Sequence, residues 1–149
     1  MSPEQKALVQ ETWRKLVPMA DAAARLFYDR LFAIDATTRP LFKGADLAEQ
    51  RRKLIQALGM VVNGLDHVEA LVPAVQHLGR RHAQYGVMDR HYDTVGEALL
   101  WTLEQGLGPI WTPEVKAAWQ SAYSLLAAVM RNAAREAITS IAVVADLTR

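Results

Sequence analysis

The 149-residue sequence has no cysteine. Disulfides, iron–sulfur clusters, thiolate-bound zinc and cysteine nucleophiles are therefore excluded, and the lack suits a reducing compartment. Charge of one sign is not in excess either. The chain carries 17 Lys and Arg against 16 Asp and Glu, a formal +1. That balance speaks against a dedicated nucleic-acid binder and offers no polybasic membrane patch. No stretch of 18 apolar residues occurs, so no membrane span is expected. The start, Met1-Ser2-Pro3-Glu4-Gln5-Lys6, lacks the basic head and apolar run of a secretory signal. Cytoplasmic residence is the resulting expectation. Internal repeats, low-complexity tracts and Ser/Gly linkers are missing. So are GxGxxG, Walker, GxSxG and HExxH motifs.

What remains is ordinary globular material, 51% hydrophobic and 22% charged, read as a single domain over residues 1–149. Its period is helical. Ser2-Pro3-Glu4-Gln5 is a capping signature. The stripe Leu8, Val9, Trp13, Leu16 follows, and Pro18 ends that helix. A second helix spans about 21–32, with Ala24, Phe27, Tyr28, Leu31 and Phe32 on one face. Residues 33–45 form a connector with a short turn and a break at Gly44. Asp46 to Glu49 reads as a capping box opening a long helix that fails near Gly64. A stretch over about 68–84 aligns Leu71, Val75, Leu78 and His82; Pro73 either breaks it early or starts its second half. Further helices run from about 89 to 106 and from Thr112-Pro113-Glu114 onward. Residues 138–147 either extend the last helix as an amphipathic tail or are partly ordered. With six or seven helices and no convincing strand, the fold class is all-α.

Few residues carry chemistry on their own. No two of His67, His77, His82 and His91 lie three or four apart, so a zinc site is not expected. His82 falls on an apolar helix face, either as a core histidine bonded to a backbone carbonyl or as a ligand. His77 lies well around the helix and should face a flank or solvent. Tyr28 and Gln50 sit on inward faces, either where an apolar stripe meets water or as donors aimed into an apolar pocket. Arg51-Arg52-Lys53 and Arg80-Arg81 are solvated faces or pocket-rim cations. The four tryptophans read as core or half-buried packing.

Several segments, taken in order, form a familiar series. They are Leu26-Phe27-Tyr28, Pro40-Leu41-Phe42, Gln50 with Leu54, Leu78-Gly79-Arg80-Arg81-His82, Tyr85-Gly86-Val87, His91-Tyr92, Ala118-Trp119 and Ala122-Tyr123. Over residues 4–133 the chain resembles the globins, specifically bacterial single-domain haemoglobins and the haem domain of flavohaemoglobins. The spacing of fourteen residues from Tyr28 to Phe42 matches that family. The resemblance implies a globin fold of six to eight helices around one haem pocket. It also implies haem b, held non-covalently since no cysteine is present. His82 takes the place of the iron ligand. Tyr28 and Gln50 take those of the distal pair that binds O2. Phe42, Leu54 and Val87 take haem-packing positions, and Lys53 a place near a propionate. Tyr92 matches the tyrosine of a Tyr–Glu pair behind the ligating histidine. Ala134 stands where the glutamate would be, and Glu136 is out of register.

The resemblance implies reversible, high-affinity binding of O2, with CO and NO as further ligands and a five-coordinate ferrous state. The alternative is NO dioxygenase activity fed by an external reductase, since no flavin or nicotinamide module is expected within these 149 residues. A third class, a haem-free helical sensor or interaction module, would make His82 a core residue. Oligomeric state is left open.

Overall fold

Capping chemistry sets where each helix begins. The computed structural model of the chain describes residues 1–147, with side-chain surroundings up to residue 137. In α1 (Pro3–Leu16) the Ser2 hydroxyl accepts from the Gln5 amide while the Gln5 side chain accepts from Ser2, a complete capping box. Pro18 lies in a 3-10 turn, Val17–Met19, that leads into α2 (Ala20–Ile34). A longer 3-10 segment, Ala36–Phe42, connects to α3 (Leu47–Asn63). There Asp46 accepts from the Ala48 and Glu49 amides. Glu49 turns away to pair with Arg52, so the expected box is half realised. After a turn at Leu65–His67, α4 (Val68–Gln84) follows. Pro73 sits inside α4 without ending it. The chain turns at Gly86, with φ +89°, into α5 (Asp89–Leu107). Another turn, Gly108–Ile110, precedes α6 (Pro113–Leu147), whose Thr112 hydroxyl accepts from the Val115 amide. The backbone of 138–147 therefore continues α6. How Ile138, Ile141 and Val144 pack lies outside the described side chains.

No strand occurs among the described residues. Among them, no single helix is long and apolar enough to cross a membrane. Packing is most extensive between α4 and α6, then between α2 and α5 and between α1 and α6. The main core joins Val9, Trp13, Leu16, Phe27, Leu31, Leu99, Leu103 and Trp119. Its one buried polar relay is the Trp119 indole donating to Thr12 at 2.9 Å, with Thr12 donating on to the Leu8 carbonyl at 2.7 Å. A second, smaller core joins Val75, Tyr92, Ala127 and Met130. Val61 and Tyr123 touch both.

This arrangement builds a V. The chain bends by 55° between α3 and the segment Leu65–Gln84. Gly64 stands at the apex because a Cβ there would lie 2.6 Å from the Leu71 side chain. α3 rests on α2 and α1, α4 rests on α6, and the two arms barely touch each other. The V opens towards the start of α3 and the end of α4.

A cleft with one imidazole wall and one phenol wall

The two arms are amphipathic, yet they bury little. Among seventeen residues α3 buries only Val62, and among seventeen α4 buries only Val75 and Gly79. By contrast α5 buries eight of nineteen. Leu54, Ile55, Leu58 and Val61 on α3, and Leu71 and Leu78 on α4, remain half-buried against their cores. Burying an aliphatic side chain fully is worth about 1.5–3 kcal/mol relative to exposing it. Apolar rows left half covered on both arms suit a flat apolar group between them.

His82 is the polar feature of the α4 wall. Its Nδ1 lies 2.7 Å from the Leu78 carbonyl oxygen. A carbonyl only accepts, so Nδ1 carries the proton and Nε2 keeps its lone pair. Burial lowers the imidazole's basicity further, outweighing the stabilising carbonyl bond. The ring is thus neutral, oriented and ready as a metal ligand. Its position is set by Gly79: a Cβ there would approach the Met130 carbonyl oxygen to 2.4 Å. Only glycine allows α4 to meet the α6 backbone this closely, one turn before His82.

Tyr28, on α2, is buried in the main core against which α3 packs. Its ring meets Phe42 edge-on at 5.4 Å and Phe27 edge-on at 5.1 Å. The hydroxyl donates to the backbone carbonyl of Gln50 at 3.3 Å. The expectation was of the Tyr28 phenol and the Gln50 side-chain amide as a pair of donors; the phenol instead donates to the Gln50 backbone carbonyl. Burial pushes the phenol pKa up to about 12, against a lowering by the Arg51 charge. The group stays protonated and is a donor at neutral pH. Leu54, one turn beyond Gln50, is half-buried on the same core.

The remaining predicted residues divide between the two sides. Val87 and Tyr92 belong to the smaller core with Val75 and Leu78. The Tyr92 hydroxyl is buried and has no hydrogen-bond partner among the described residues. Ala134 is buried and Glu136 exposed, and no carboxylate among the described residues bonds to Tyr92. Lys53 is exposed at the open end of the V, and His77 faces solvent as expected. Among the described residues no cluster of three metal-binding side chains occurs.

Sequence reasoning missed His91. Its Nδ1 accepts from the Met88 amide at 2.8 Å, which leaves Nε2–H to donate to Thr37 at 3.2 Å. Thr37 in turn donates to Asp35 at 2.5 Å. This chain ties the loop before α5 to the 3-10 segment bearing Phe42. The clue was position: His91 is the third residue of α5, where a side chain can cap its own helix.

A groove of about 440 Å³ lies elsewhere, between α5 and α6. It is lined by Asp93, Glu97, Arg131 and Arg135, and Arg131 already pairs with Asp93 at 2.6 Å. None of the expected site residues lines it.

Comparison with known proteins agrees with the all-α fold. The globin family profile matches residues 25–130. Over 129 residues the chain is 33% identical to a flavohemoprotein of Bordetella parapertussis, covering 85% of this chain and 32% of that one. It thus spans about a third of the length of its flavohemoprotein relatives. Neuroglobin of Danio rerio is 27% identical over 143 residues, covering 87% of this chain and 90% of its own. A solved hexacoordinated heme protein from an anhydrobiotic tardigrade superposes with a TM-score of 0.82 at 17% identity, over 91% of this chain and 96% of that one. The chain belongs to the globin family, a family of haem proteins.

Proposed function

We propose that this globin binds haem b in the cleft through His82 Nε2 and holds O2 reversibly with high affinity. The observation that carries the reading is the His82 Nδ1–Leu78 bond. It presents a neutral imidazole lone pair from a half-buried apolar wall, with a protonated phenol on the other side. Haem, held by His82, would supply iron chemistry able to bind a diatomic gas.

The chain's own residues do the rest. Leu54, Phe42 and Val87 supply apolar packing that keeps water away. Tyr28 has a proton to donate to a ligand that gathers negative charge. Its present bond to Gln50 is long, at 3.3 Å, so turning towards such a ligand sacrifices little. A hydrogen bond to a charged acceptor contributes about 1.5–3 kcal/mol, or roughly 10- to 150-fold in dissociation. The Gln50 side chain, beside Tyr28, would steady that donor. Lys53 at the rim suits a propionate. The NO dioxygenase alternative uses the same Tyr28 and Gln50. A carbonyl rather than a carboxylate on His82, with Tyr92 unpartnered, favours the carrier.

Absorption spectra of the purified protein test the reading, taken ferric, reduced, and reduced with CO. A Soret band with a five-coordinate ferrous form that shifts on CO is expected. No Soret band after added haem would overturn it, and a His82→Ala protein with an unchanged ferrous spectrum would overturn the ligand assignment. Sustained NO consumption with a supplied reductant would replace the carrier reading with the dioxygenase one.

A further inference from the structure

The 3-10 segment is clasped to the start of α5 and to the turn before it. The His91 Nε2–H donates to the Thr37 hydroxyl at 3.2 Å, the Thr94 hydroxyl donates to Asp35 at 3.3 Å, and Arg90 donates to Thr37 at 3.5 Å. Beside them, a Cβ on Gly86 would lie 3.6 Å from the Leu41 side chain. Phe42 ends the clasped segment, and Val87 lies in the turn before α5.

His91 bonds to both ends of this clasp. It is only 3% exposed, and each ring nitrogen has a fixed role. The Met88 amide can only donate, so Nδ1 accepts from it at 2.8 Å and carries no proton. The Thr37 hydroxyl donates its own hydrogen to Asp35, so it accepts from Nε2–H. Val87, next to Met88, donates its amide to the His82 carbonyl at 3.0 Å. Neutral His91 therefore holds the turn that closes α4 just after His82. A second proton on the ring would set Nδ1–H against the Met88 N–H, donor against donor, and break that bond. The tie to Thr37 would survive, because the carboxylate beyond it keeps its charge. The Thr37 hydroxyl above all, with the Thr37 amide and the Thr94 hydroxyl, holds Asp35 below the ordinary carboxylate range. The other charged or titratable groups around the clasp are engaged elsewhere: Asp89 and Asp93 with Arg131 of α6, Arg39 over the Phe32 ring at 4.7 Å, and Tyr85 with Arg81.

We propose that His91 is a positioning residue that gates gas release: neutral, it clasps the Val87–Met88 turn to the Phe42 segment, and protonated, it frees that turn and opens the corner of the cleft between Val87 and Phe42. The proposal rests on the haem reading, in which Val87 and Phe42 are packing residues. Histidine ordinarily gains its charge between pH 5 and 8, so a bound gas should leave faster as the solution is acidified. An opened corner changes the exit path, so O2 and CO should respond alike.

Two amide variants separate the two bonds. His91→Asn places an uncharged oxygen where Nδ1 stands and keeps an acceptor for Met88. His91→Gln reaches Thr37 as Nε2 does and gives up the Met88 acceptor. Displacement of O2 by CO, and of CO by NO, is followed in haem-loaded protein at pH 8 and pH 5, the two ends of the histidine range. The parent should release both gases about three- to tenfold faster at pH 5, the weight of one hydrogen bond. His91→Asn should lack this acid step, and His91→Gln should be fast at both values. A second readout, nuclear magnetic resonance of the parent chain, needs no variant and no gas. At pH 8 the His91 ring should be the Nε2–H tautomer, with the Met88 amide protected from hydrogen exchange. Acidification should protonate the ring and lower Met88 protection in the same step, after correction for the pH dependence of intrinsic exchange. An Nδ1–H tautomer, Met88 protection indifferent to His91 protonation, or the same acid step in His91→Asn would overturn the proposal. A joint His91–Met88 step in a chain that takes no haem would keep the clasp and discard its effect on gas release.

Discussion

The two arms of the cleft are held in different ways. The α4 arm is fastened by its backbone. Gly79 meets Met130 so closely that a methyl group has no room. The α3 arm is fastened by reaching side chains: Arg51 to Asp21 at 3.0 Å, Gln10 to the Val62 carbonyl at 3.3 Å, and Tyr28 to the Gln50 carbonyl at 3.3 Å. The glycine on that arm, Gly59, is loosely surrounded: a Cβ there would lie 3.8 Å from the Trp13 ring. Under the proposed reading, a fixed wall suits the side bearing His82, and a wall tied by long side chains suits the side by which a gas would enter. Substitutions on α4 should therefore move stability, and those facing α3 should move ligand kinetics.

The largest effect is expected at Tyr28. Tyr28→Phe keeps the aromatic contacts with Phe42 and Phe27 and removes one donor. O2 dissociation should quicken roughly 10- to 150-fold, while CO, a poorer hydrogen-bond acceptor, should change much less. Stopped-flow displacement of O2 by CO measures this. Stability should fall by about 1 kcal/mol or less, since only a long hydroxyl–carbonyl bond is lost. Equal O2 and CO effects would mean that the substitution widened the cleft instead of removing a hydrogen bond.

Next come matched glycine substitutions. Gly79→Ala should cost about 1–3 kcal/mol, because the Met130 backbone cannot yield cheaply. Gly59→Ala meets ordinary van der Waals distance and gains helix propensity, so it should stabilise by up to about 1 kcal/mol. Urea denaturation of both variants gives the two signs directly. If both destabilise alike, the contrast between the arms is wrong.

This contrast also marks how far the sequence could be read. Helix bounds were legible because they depend on local chemistry. The expected 68–84 helix is Val68–Gln84, and the Ser2–Gln5 box closes as written. Pro73 was harder. It lies on an exposed face early in α4, where solvent can serve the Glu69 carbonyl that its missing N–H leaves free. His82 and Tyr28 stood out because each is a polar group on an apolar stripe. Gly79 could be noticed but not explained, since its meaning depends on Met130, 51 residues away. Likewise the partner of Tyr28 is a carbonyl on another helix, and no side-chain pattern encodes which backbone atom will lie nearby.

The smallest effect is expected where α3 is tied to α2. The Arg51 guanidinium, hydrogen-bonded to Asp21, holds that carboxyl below its ordinary pKa. A depressed carboxylate pKa adds stability above the unfolded-state value, near 3.9, and loses it as pH falls through the lower folded-state value. Asp21 is exposed, so solvent screens most of the pair's attraction. Asp21→Asn should thus shift the melting temperature by only about 1–2 °C at neutral pH. The difference from the parent should shrink towards zero below pH 4, as the parent's own carboxyl takes up its proton. Thermal melts from pH 7 down to pH 3 decide it. A large neutral-pH loss would mean that this rim pair holds α3 as firmly as Gly79 lets α6 hold α4, and the two arms would no longer differ in kind.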